Sequence, residues 1–286
     1  MKTLLLPLFG DHSDRLGLST AVTLARVFSM HMDVVHIRGD PATIFSSIAP
    51  NGMGLALTVP SIVEQIEEQE NARADRARHY YKAFCEKEKL PVSEVPPGPR
   101  GVSVSWREIK GNDVDVIVQL GRLRDIVVIA NAPRTSRLFP RELGELFGIG
   151  RPLLLAGPKV PKSIGRRISV AWKSVPEAAR AIGAAMPLLA KAEQISVFSI
   201  EEELNRQTSL DLLIKQLRWH RLPVEGRVIS PRSQPAPEAL LSAAMDMKAD
   251  LLVMGAYGHG RVRETIFGGF THHMLSGVHL PIFMLH

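Results

Sequence analysis

The chain of 286 residues is long enough for two domains of ordinary size. Its 45% hydrophobic residues and mean hydropathy of +0.04 are typical of a globular protein with a substantial core, and no window approaches the ~18 consecutive apolar residues of a membrane-spanning helix. The formal net charge is +6, but Lys and Arg are spread along the chain without interleaved aromatic residues, so we expect no nucleic-acid partner and no membrane partner.

The first predicted element is a strand over residues 2–8. Its apolar run is short, is interrupted by Pro7 and is followed by no small-residue cleavage site, so it does not fit a signal peptide. The single cysteine, Cys85, excludes an intrachain disulfide and suits a reducing compartment. We therefore expect a cytoplasmic protein.

The order of the predicted elements repeats along the chain. The N-terminal half continues with helices at 16–28 and 61–89 and with strands at 32–37, 102–109, 123–130 and 151–156. The C-terminal half has strands at 167–172, 193–200, 224–229, 248–255 and 280–285, with a helix at 176–190 after the first of them. Short strands rich in Val, Ile and Leu that alternate with helices predict a parallel sheet covered on both faces.

A Pro-rich, basic segment at residues 157–163 separates the two halves. We expect two tandem five-stranded parallel α/β domains, at residues 1–158 and 166–286, with a linker at 159–165 and a helical insertion in the first domain. The last strands of the two halves are candidates for pairing the domains edge to edge, which would make the chain a pseudo-dimer. The sequence leaves open whether this unit also forms a homodimer.

The predicted helix 61–89 is strongly charged. It runs from acidic residues around Glu64–Glu70 to basic residues around Arg73–Arg78, an order that suits the helix dipole and supplies Glu–Arg pairs at helical spacing. We interpret this pattern as a solvated helix face.

The segment after strand 248–255 has the glycine spacing Gly255-x2-Gly258-x9-Gly268. It lies at the carboxyl end of a strand, where open α/β sheets bind ligands. A phosphate chain needs main-chain N–H groups that approach it closely, which favours glycine, and it is stabilised by a helix N-terminus, which is predicted here at 270–276. The segment therefore predicts a phosphate site.

Two arginines in the same segment, Arg261 and Arg263, are placed to neutralise phosphate oxygens. The P-loop pattern is absent from the chain, and the dinucleotide pattern G-x-G-x-x-G would follow a first strand rather than a fourth. The alternative interpretation is a flexible strand-to-helix connection that binds nothing.

The glycine spacing, between a strand ending in Val-Met-Gly and a short helix with a last strand, resembles the nucleotide-binding signature of the universal stress protein family. The resemblance is specific in residues 166–286 and rests on element order alone in residues 1–158. It implies a tandem member with five-stranded parallel α/β sandwich domains of the Rossmann-like, adenine-nucleotide α-hydrolase-like type. It also implies ATP as the ligand, with ADP or AMP as alternatives and Mg²⁺ as a candidate companion ion.

The resemblance assigns roles to residues of the glycine segment. Gly255, Gly258 and Gly268 match the signature. Gly269 stands where the family usually has Ser or Thr, so a main-chain donor is kept but a hydroxyl is lost, and Thr271 is placed to compensate.

Three residues of the preceding strands complete the predicted nucleotide site. Lys173 stands where the family tends to have Asp near the adenine and ribose, and a lysine attracts phosphate instead. Val197 lies where the family offers main-chain contacts to the base. Trp172 is either a core or interface aromatic or a ring that stacks on the base.

The N-terminal half has none of the glycine spacing after its fourth strand, at residues 131–137, so we expect a non-binding partner domain there. No G-x-S-x-G motif or paired histidine spacing supports a catalytic or metal site. We predict a regulatory or protective protein of the stress response that binds an adenine nucleotide through its C-terminal half only. The alternatives are a nucleotide-free interaction module and a slow ATPase.

Overall fold

The computed structural model describes residues 1–48, 59–130, 146–200, 206–230, 235–256 and 280–286. In the described N-terminal half, the strands β1 to β5 are Thr3–Leu8, His31–Arg38, Ser103–Lys110, Ile126–Ile129 and Leu153–Leu155. The helices α1 to α4 are Asp14–Phe28, Pro41–Ile48, Val59–Glu88 and Asp113–Gly121, and a short 3₁₀ turn at Leu146–Ile149 precedes β5.

The described C-terminal half repeats this order without the insertion. Its strands β6 to β10 are Arg167–Ala171, Gln194–Ile200, Val224–Ile229, Leu251–Gly255 and Ile282–Leu285. Its helices α5 to α7 are Pro176–Leu189, Arg206–Trp219 and Ala236–Asp246. The element boundaries predicted from the sequence agree closely for most strands and helices. The long α3 takes the place that α6 has in the C-terminal half, and α2 is the additional helix.

All ten strands form one sheet, in the order β3-β2-β1-β4-β5-β10-β9-β6-β7-β8. Within each half the strands are parallel and have the same order, which confirms the predicted internal repeat. The two halves meet through their last strands, which pair antiparallel with Leu154 opposite Phe283. The predicted edge-to-edge pairing is thereby confirmed, and the two five-stranded sheets become one.

Helices cover both faces of this sheet. Along β1, Leu4, Leu6 and Leu8 face a core packed under α1, α3, α5 and α6. Leu5 faces the opposite side, where a second core lies under α4, α7 and the 3₁₀ turn. Because successive side chains of a strand point to opposite faces, a continuous Leu run is what a strand buried on both faces requires.

The end of the predicted linker is held against the C-terminal half. The carboxylate of Asp250 accepts hydrogen bonds from the hydroxyl of Ser163 (2.5 Å) and from the main-chain N–H groups of Gly165 and Arg167 (3.0 Å each). This carboxylate therefore fixes the chain where it enters β6. Among the described helices, none is long and apolar enough to cross a membrane.

Candidate functional site

The carboxyl edge of the C-terminal half is the edge at which its parallel strands end. β6 and β9 are neighbours in register, with Ala171 beside Met254, so the residues that follow them also lie side by side at this edge. Trp172 and Gly255 follow these paired residues and therefore lie at the same edge. Open α/β sheets place their ligands at such an edge.

Gly255 has a packing role that the sequence did not reveal. A Cβ at this position would lie 2.6 Å from the main-chain nitrogen of Ala178 and 2.7 Å from the carbonyl carbon of Glu177. Both atoms belong to the first turn of α5. The glycine therefore lets the end of β9 touch the start of that helix, whether or not a ligand is present.

Trp172 is fixed by two hydrogen bonds. Its main-chain N–H donates to the carbonyl oxygen of Phe198 (2.8 Å), and its indole Nε1–H donates to the hydroxyl of Ser209 on α6 (2.9 Å). The ring is half-buried and packs against the core under α6. Ser209 lies in a helix with no motif of its own, so sequence reasoning missed this partner.

The start of α5 adds positive electrostatic potential to the same edge. The helix begins at Pro176, three residues after the exposed Lys173, and the side chain of its N-cap residue, Val175, makes no capping hydrogen bond. A helix N-terminus carries the positive end of the helix dipole and main-chain N–H groups that favour anions. The ammonium group of Lys173 and the N-terminus of α5 therefore both make the electrostatic potential at this edge more positive.

Val197 lies inside β7, between Val170 of β6 and Gly226 of β8, and its side chain is fully buried. Three more strand residues, ending at Ile200, separate it from the carboxyl edge. The remaining predicted site residues lie outside the described residues: Gly258, Arg261, Arg263, Gly268, Gly269 and Thr271.

The corresponding edge of the N-terminal half is closed by its own residues. The fully buried carboxylate of Asp14, at the start of α1, accepts hydrogen bonds from the main-chain N–H groups of Phe9 and Gly10 (2.8 Å each). These two groups follow β1, so an internal carboxylate already occupies donors at the end of this strand. Burial raises the pKa of Asp14 from 3.8 to about 7, against the opposing effect of the two hydrogen bonds.

Helix α3 packs directly onto this turn. Arg73 and Arg76 donate through their Nε atoms to the carbonyl oxygens of Phe9 (3.0 Å) and Gly10 (2.8 Å). A Cβ at Gly10 would collide with the main-chain carbonyl oxygen of Arg73, and Gly10 has a φ of +73°. The backbone of α3 at Arg73 therefore packs directly against the turn that follows β1.

The same helix also closes the end of β2. Glu70 is only 3% exposed, accepts from the main-chain N–H of Gly39 (2.9 Å) and pairs with Arg73 (2.8 Å). The interpretation of this charged stretch as a solvated face is therefore wrong for Glu70 and Arg73. The Glu–Arg spacing was visible in the sequence, but the backbone groups that these side chains also bind come from distant segments.

A buried histidine lies in β2 close to this closed edge. His36 is fully buried; its Nδ1–H donates to the carbonyl oxygen of Leu8 (2.8 Å), because that oxygen can only accept. Its ring stacks on Trp106 at a centroid distance of 6.5 Å. Burial lowers the pKa of His36 below 6.5, so the ring is neutral at pH 7. Within the described residues, no group of three or more His, Cys, Asp or Glu side chains could hold a metal ion.

Comparisons with known proteins agree with this architecture. A universal stress protein from Archaeoglobus fulgidus DSM 4304 matches 99% of this chain and 95% of its own, with 14% identity and a TM-score of 0.70. A candidate universal stress protein from Pseudomonas aeruginosa UCBPP-PA14 matches 100% of this chain and 93% of its own, with 15% identity and a TM-score of 0.58. At these identities the likeness shows the fold, and it extends over the whole chain.

A universal stress protein in complex with cAMP matches 48% of this chain and 77% of its own, with 15% identity and a TM-score of 0.24. A likeness at this level carries no argument about the ligand of this chain. No curated protein sequence matches the chain.

The sequence model of the universal stress protein family matches residues 166–286. This is the half that carries the glycine spacing, and its boundaries include all of β6 to β10. Residues 166–286 are therefore identified as a universal stress protein domain.

Proposed function

We propose that the chain binds one adenine nucleotide, ATP, at the carboxyl edge of its C-terminal half. The nucleotide acts as a bound signal for a regulatory or protective role in the stress response rather than as a substrate that is turned over quickly. The observation that carries this proposal is the difference between the two edges: one offers positive potential at a helix start, and the other is filled by the protein's own side chains.

The carboxyl edge of the C-terminal half suits a phosphate chain. The start of α5 presents main-chain N–H groups, Lys173 supplies an exposed positive charge, and Gly255 allows β9 to end in contact with that helix. A phosphate group is a multiply charged acceptor, which such an arrangement stabilises. Trp172, held by Ser209, presents a half-buried aromatic ring at the same edge for the base.

The glycine segment contributes the remaining roles in this proposal. Main-chain N–H groups of Gly258, Gly268 and Gly269 donate to the phosphate oxygens, and Arg261 and Arg263 neutralise their charge.

Two further residues complete the assignment. Thr271 supplies the hydroxyl that Gly269 lacks, and the main chain at the carboxyl end of β7, beyond Val197, faces the base. Mg²⁺ binds with the triphosphate through the phosphate oxygens.

The contacts at the carboxyl edge of the N-terminal half support the proposal of a single site. Asp14 occupies the N–H groups of Phe9 and Gly10, and its carboxyl group would lie where a phosphate approaches. Arg73 and Glu70 of α3 occupy further main-chain groups at the ends of β1 and β2. A ligand would have to displace these hydrogen bonds and the helix that carries them.

The test is isothermal titration calorimetry of the full chain with ATP, ADP and AMP. We expect one nucleotide per chain, and the variant Gly258→Val should abolish binding because a branched side chain prevents close approach of the main chain. The matched control is Gly183→Val, an exposed glycine within α5 and away from its first turn, with no heavy atom within 4 Å of the added Cβ. The control should bind as the unchanged chain does.

Absence of heat with all three nucleotides at high micromolar concentration would contradict the proposal. It would favour the second candidate, a nucleotide-free interaction module, which the pairing of β5 with β10 into one continuous sheet supports. Two nucleotides per chain would instead show that the N-terminal edge opens.

A further inference from the structure

The antiparallel pairing of β5 and β10 brings a segment of the N-terminal half to the carboxyl edge of the C-terminal half. Leu153, the first residue of β5, lies opposite Met284, near the end of β10. The 3₁₀ turn that precedes β5 consequently lies beside the residue that follows β10. Here the rings of Phe147 and His286 are in contact, with centroids 6.0 Å apart and planes tilted by 55°.

His286 is bonded to the residue at which the chain leaves β9. Its Nδ1 lies 2.9 Å from the carbonyl oxygen of Ala256, and since that oxygen can only accept, Nδ1 carries the proton. The main-chain N–H of Ala256 donates in turn to the carbonyl oxygen of Leu285 (3.0 Å). Both main-chain polar groups of Ala256 are therefore fixed by the end of β10, two residues before Gly258.

The same end of β10 is also connected to the start of α5. The Nε of Arg180 donates to the main-chain oxygen of His286 (3.1 Å), and the guanidinium group pairs with Glu177 in the first turn of the helix (2.9 Å). Gly255 packs against that first turn. The elements that flank this carboxyl edge, the end of β9 and the start of α5, thus meet at His286.

The 3₁₀ turn that carries Phe147 is anchored in the core. Its neighbours Leu146 and Ile149 are buried, at 0% and 3% exposure, in the core under α4. The ring itself is half-buried. A side chain whose own turn is anchored in this way can restrict the position of a ring packed against it.

We propose that Phe147 is a positioning residue for the C-terminal site. By packing against His286 it fixes the imidazole on Ala256, and through Ala256 it sets the point from which the chain continues toward Gly258. The N-terminal half, whose own edge is closed, thereby supports the site of the other half. The nucleotide readout of this proposal rests on the proposed function; its second readout, amide exchange at Ala256, does not.

The experiment uses the full chain, four single variants and the double variant Phe147→Ala/His286→Leu. Phe147→Ala removes the ring, His286→Leu removes the donor to Ala256, and His286→Asn keeps a side-chain N–H at the place of Nδ1. The matched control is Leu123→Ala, which truncates a side chain that is 70% exposed in the same half. Amide hydrogen exchange is followed in the peptide that contains Ala256, and ATP affinity is measured by calorimetry.

We expect faster exchange at Ala256 and an ATP affinity about threefold to tenfold lower in Phe147→Ala and in His286→Leu, as for the loss of one aromatic contact or one hydrogen bond. His286→Asn should restore the slow exchange and most of the affinity. The double variant Phe147→Ala/His286→Leu should be no worse than His286→Leu, because both residues act through the same bond to Ala256. Leu123→Ala should match the unchanged chain.

Unchanged exchange at Ala256 in Phe147→Ala would overturn the proposal, as would fully additive losses in the double variant. If the unchanged chain binds no nucleotide, the proposed function fails. The positioning role is then decided by exchange alone: acceleration in both variants with restoration in His286→Asn supports it, and any other pattern overturns it.

Discussion

Gly255 illustrates how one residue can serve packing and binding at once. The sequence suggested a main-chain donor for phosphate, whereas the structure shows the end of β9 in contact with the backbone of α5 at Glu177 and Ala178. The two roles have different consequences, because the packing role affects stability without any ligand.

We expect Gly255→Ala to lower the free energy of unfolding by about 1–3 kcal/mol, since the added methyl group overpacks a contact with rigid backbone. The matched control is Gly183→Ala, within α5, where an added Cβ meets no heavy atom within 4 Å. That change should stabilise the protein by up to about 1 kcal/mol, because alanine is the better helix former. Urea denaturation without nucleotide measures both, and equal stabilities of Gly255→Ala and the unchanged chain would refute the packing role.

Asp14 gives the stability of the N-terminal half a pH dependence. Burial raises the pKa of Asp14 from 3.8 to about 7, so between these values the folded chain holds a proton that the unfolded chain has lost. The contribution of this group to stability is complete below about pH 4 and is lost as the pH rises to about 7. At ~1.4 kcal/mol per pKa unit, the shift corresponds to at most roughly 4 kcal/mol.

The comparison of the unchanged chain with Asp14→Asn isolates this effect, because the lowered pKa of His36 acts equally in both. The contribution of His36 is lost as the pH falls below 6.5, the opposite direction. We expect the unchanged chain to lose stability relative to Asp14→Asn as the pH rises from 4 to 7, measured by denaturation at each pH. A relative loss as the pH falls would mean instead that the hydrogen bonds from Phe9 and Gly10 outweigh burial.

At the scale of an element, α3 shows what a local pattern can predict and what it cannot. Helical spacing predicted residues 61–89, and the helix spans Val59–Glu88. The pairing of Glu70 with Arg73 at i,i+3 was also within reach of the sequence. Their additional bonds to Gly39 and Phe9 were not, because those partners are more than 30 residues away and are brought close only by the fold.

We expect Glu70→Ala to destabilise the chain by about 1–3 kcal/mol, because it removes the acceptor of the N–H of Gly39 and of the Nη1 of Arg73. Glu67→Ala, an exposed position one turn earlier, is the matched control and should change stability by no more than about 0.5 kcal/mol. Amide exchange in the peptide containing Gly39 should accelerate only in Glu70→Ala. Equal behaviour of the two variants would show that α3 is bound to this edge by its apolar face alone.

For the whole molecule, the repeat in the sequence predicted a parallel five-stranded sheet in each half and the strands that join the two sheets. It could not give the direction of that pairing, since Leu153–Leu155 and Ile282–Leu285 are apolar runs that fit either orientation. The antiparallel joint has a functional consequence. The strands of the two halves run in opposite directions, so their carboxyl ends lie at opposite ends of the sheet. The carboxyl edge of the C-terminal half therefore adjoins the 3₁₀ turn of the other half and not the closed edge of that half.

The joint also makes the two halves one cooperative unit. Phe283 and Leu154 are both fully buried, lie opposite each other, and belong to a core that contains residues of both halves. Truncating Phe283 should therefore destabilise the N-terminal half as well, although the substitution lies in the C-terminal half. We expect Phe283→Ala to cost about 3–5 kcal/mol.

Single-tryptophan backgrounds make this coupling visible, because the chain has three tryptophans. The background Trp172→Phe/Trp219→Phe reports on the N-terminal half through Trp106, and Trp106→Phe/Trp219→Phe reports on the C-terminal half through Trp172. If the sheet unfolds as a unit, Phe283→Ala shifts the denaturation midpoints of both probes together, while Leu212→Ala, which truncates a side chain that is 62% exposed, shifts neither. A shift confined to the Trp172 signal would show that the antiparallel joint breaks before either half unfolds, and that the halves are independent domains held only by their last strands.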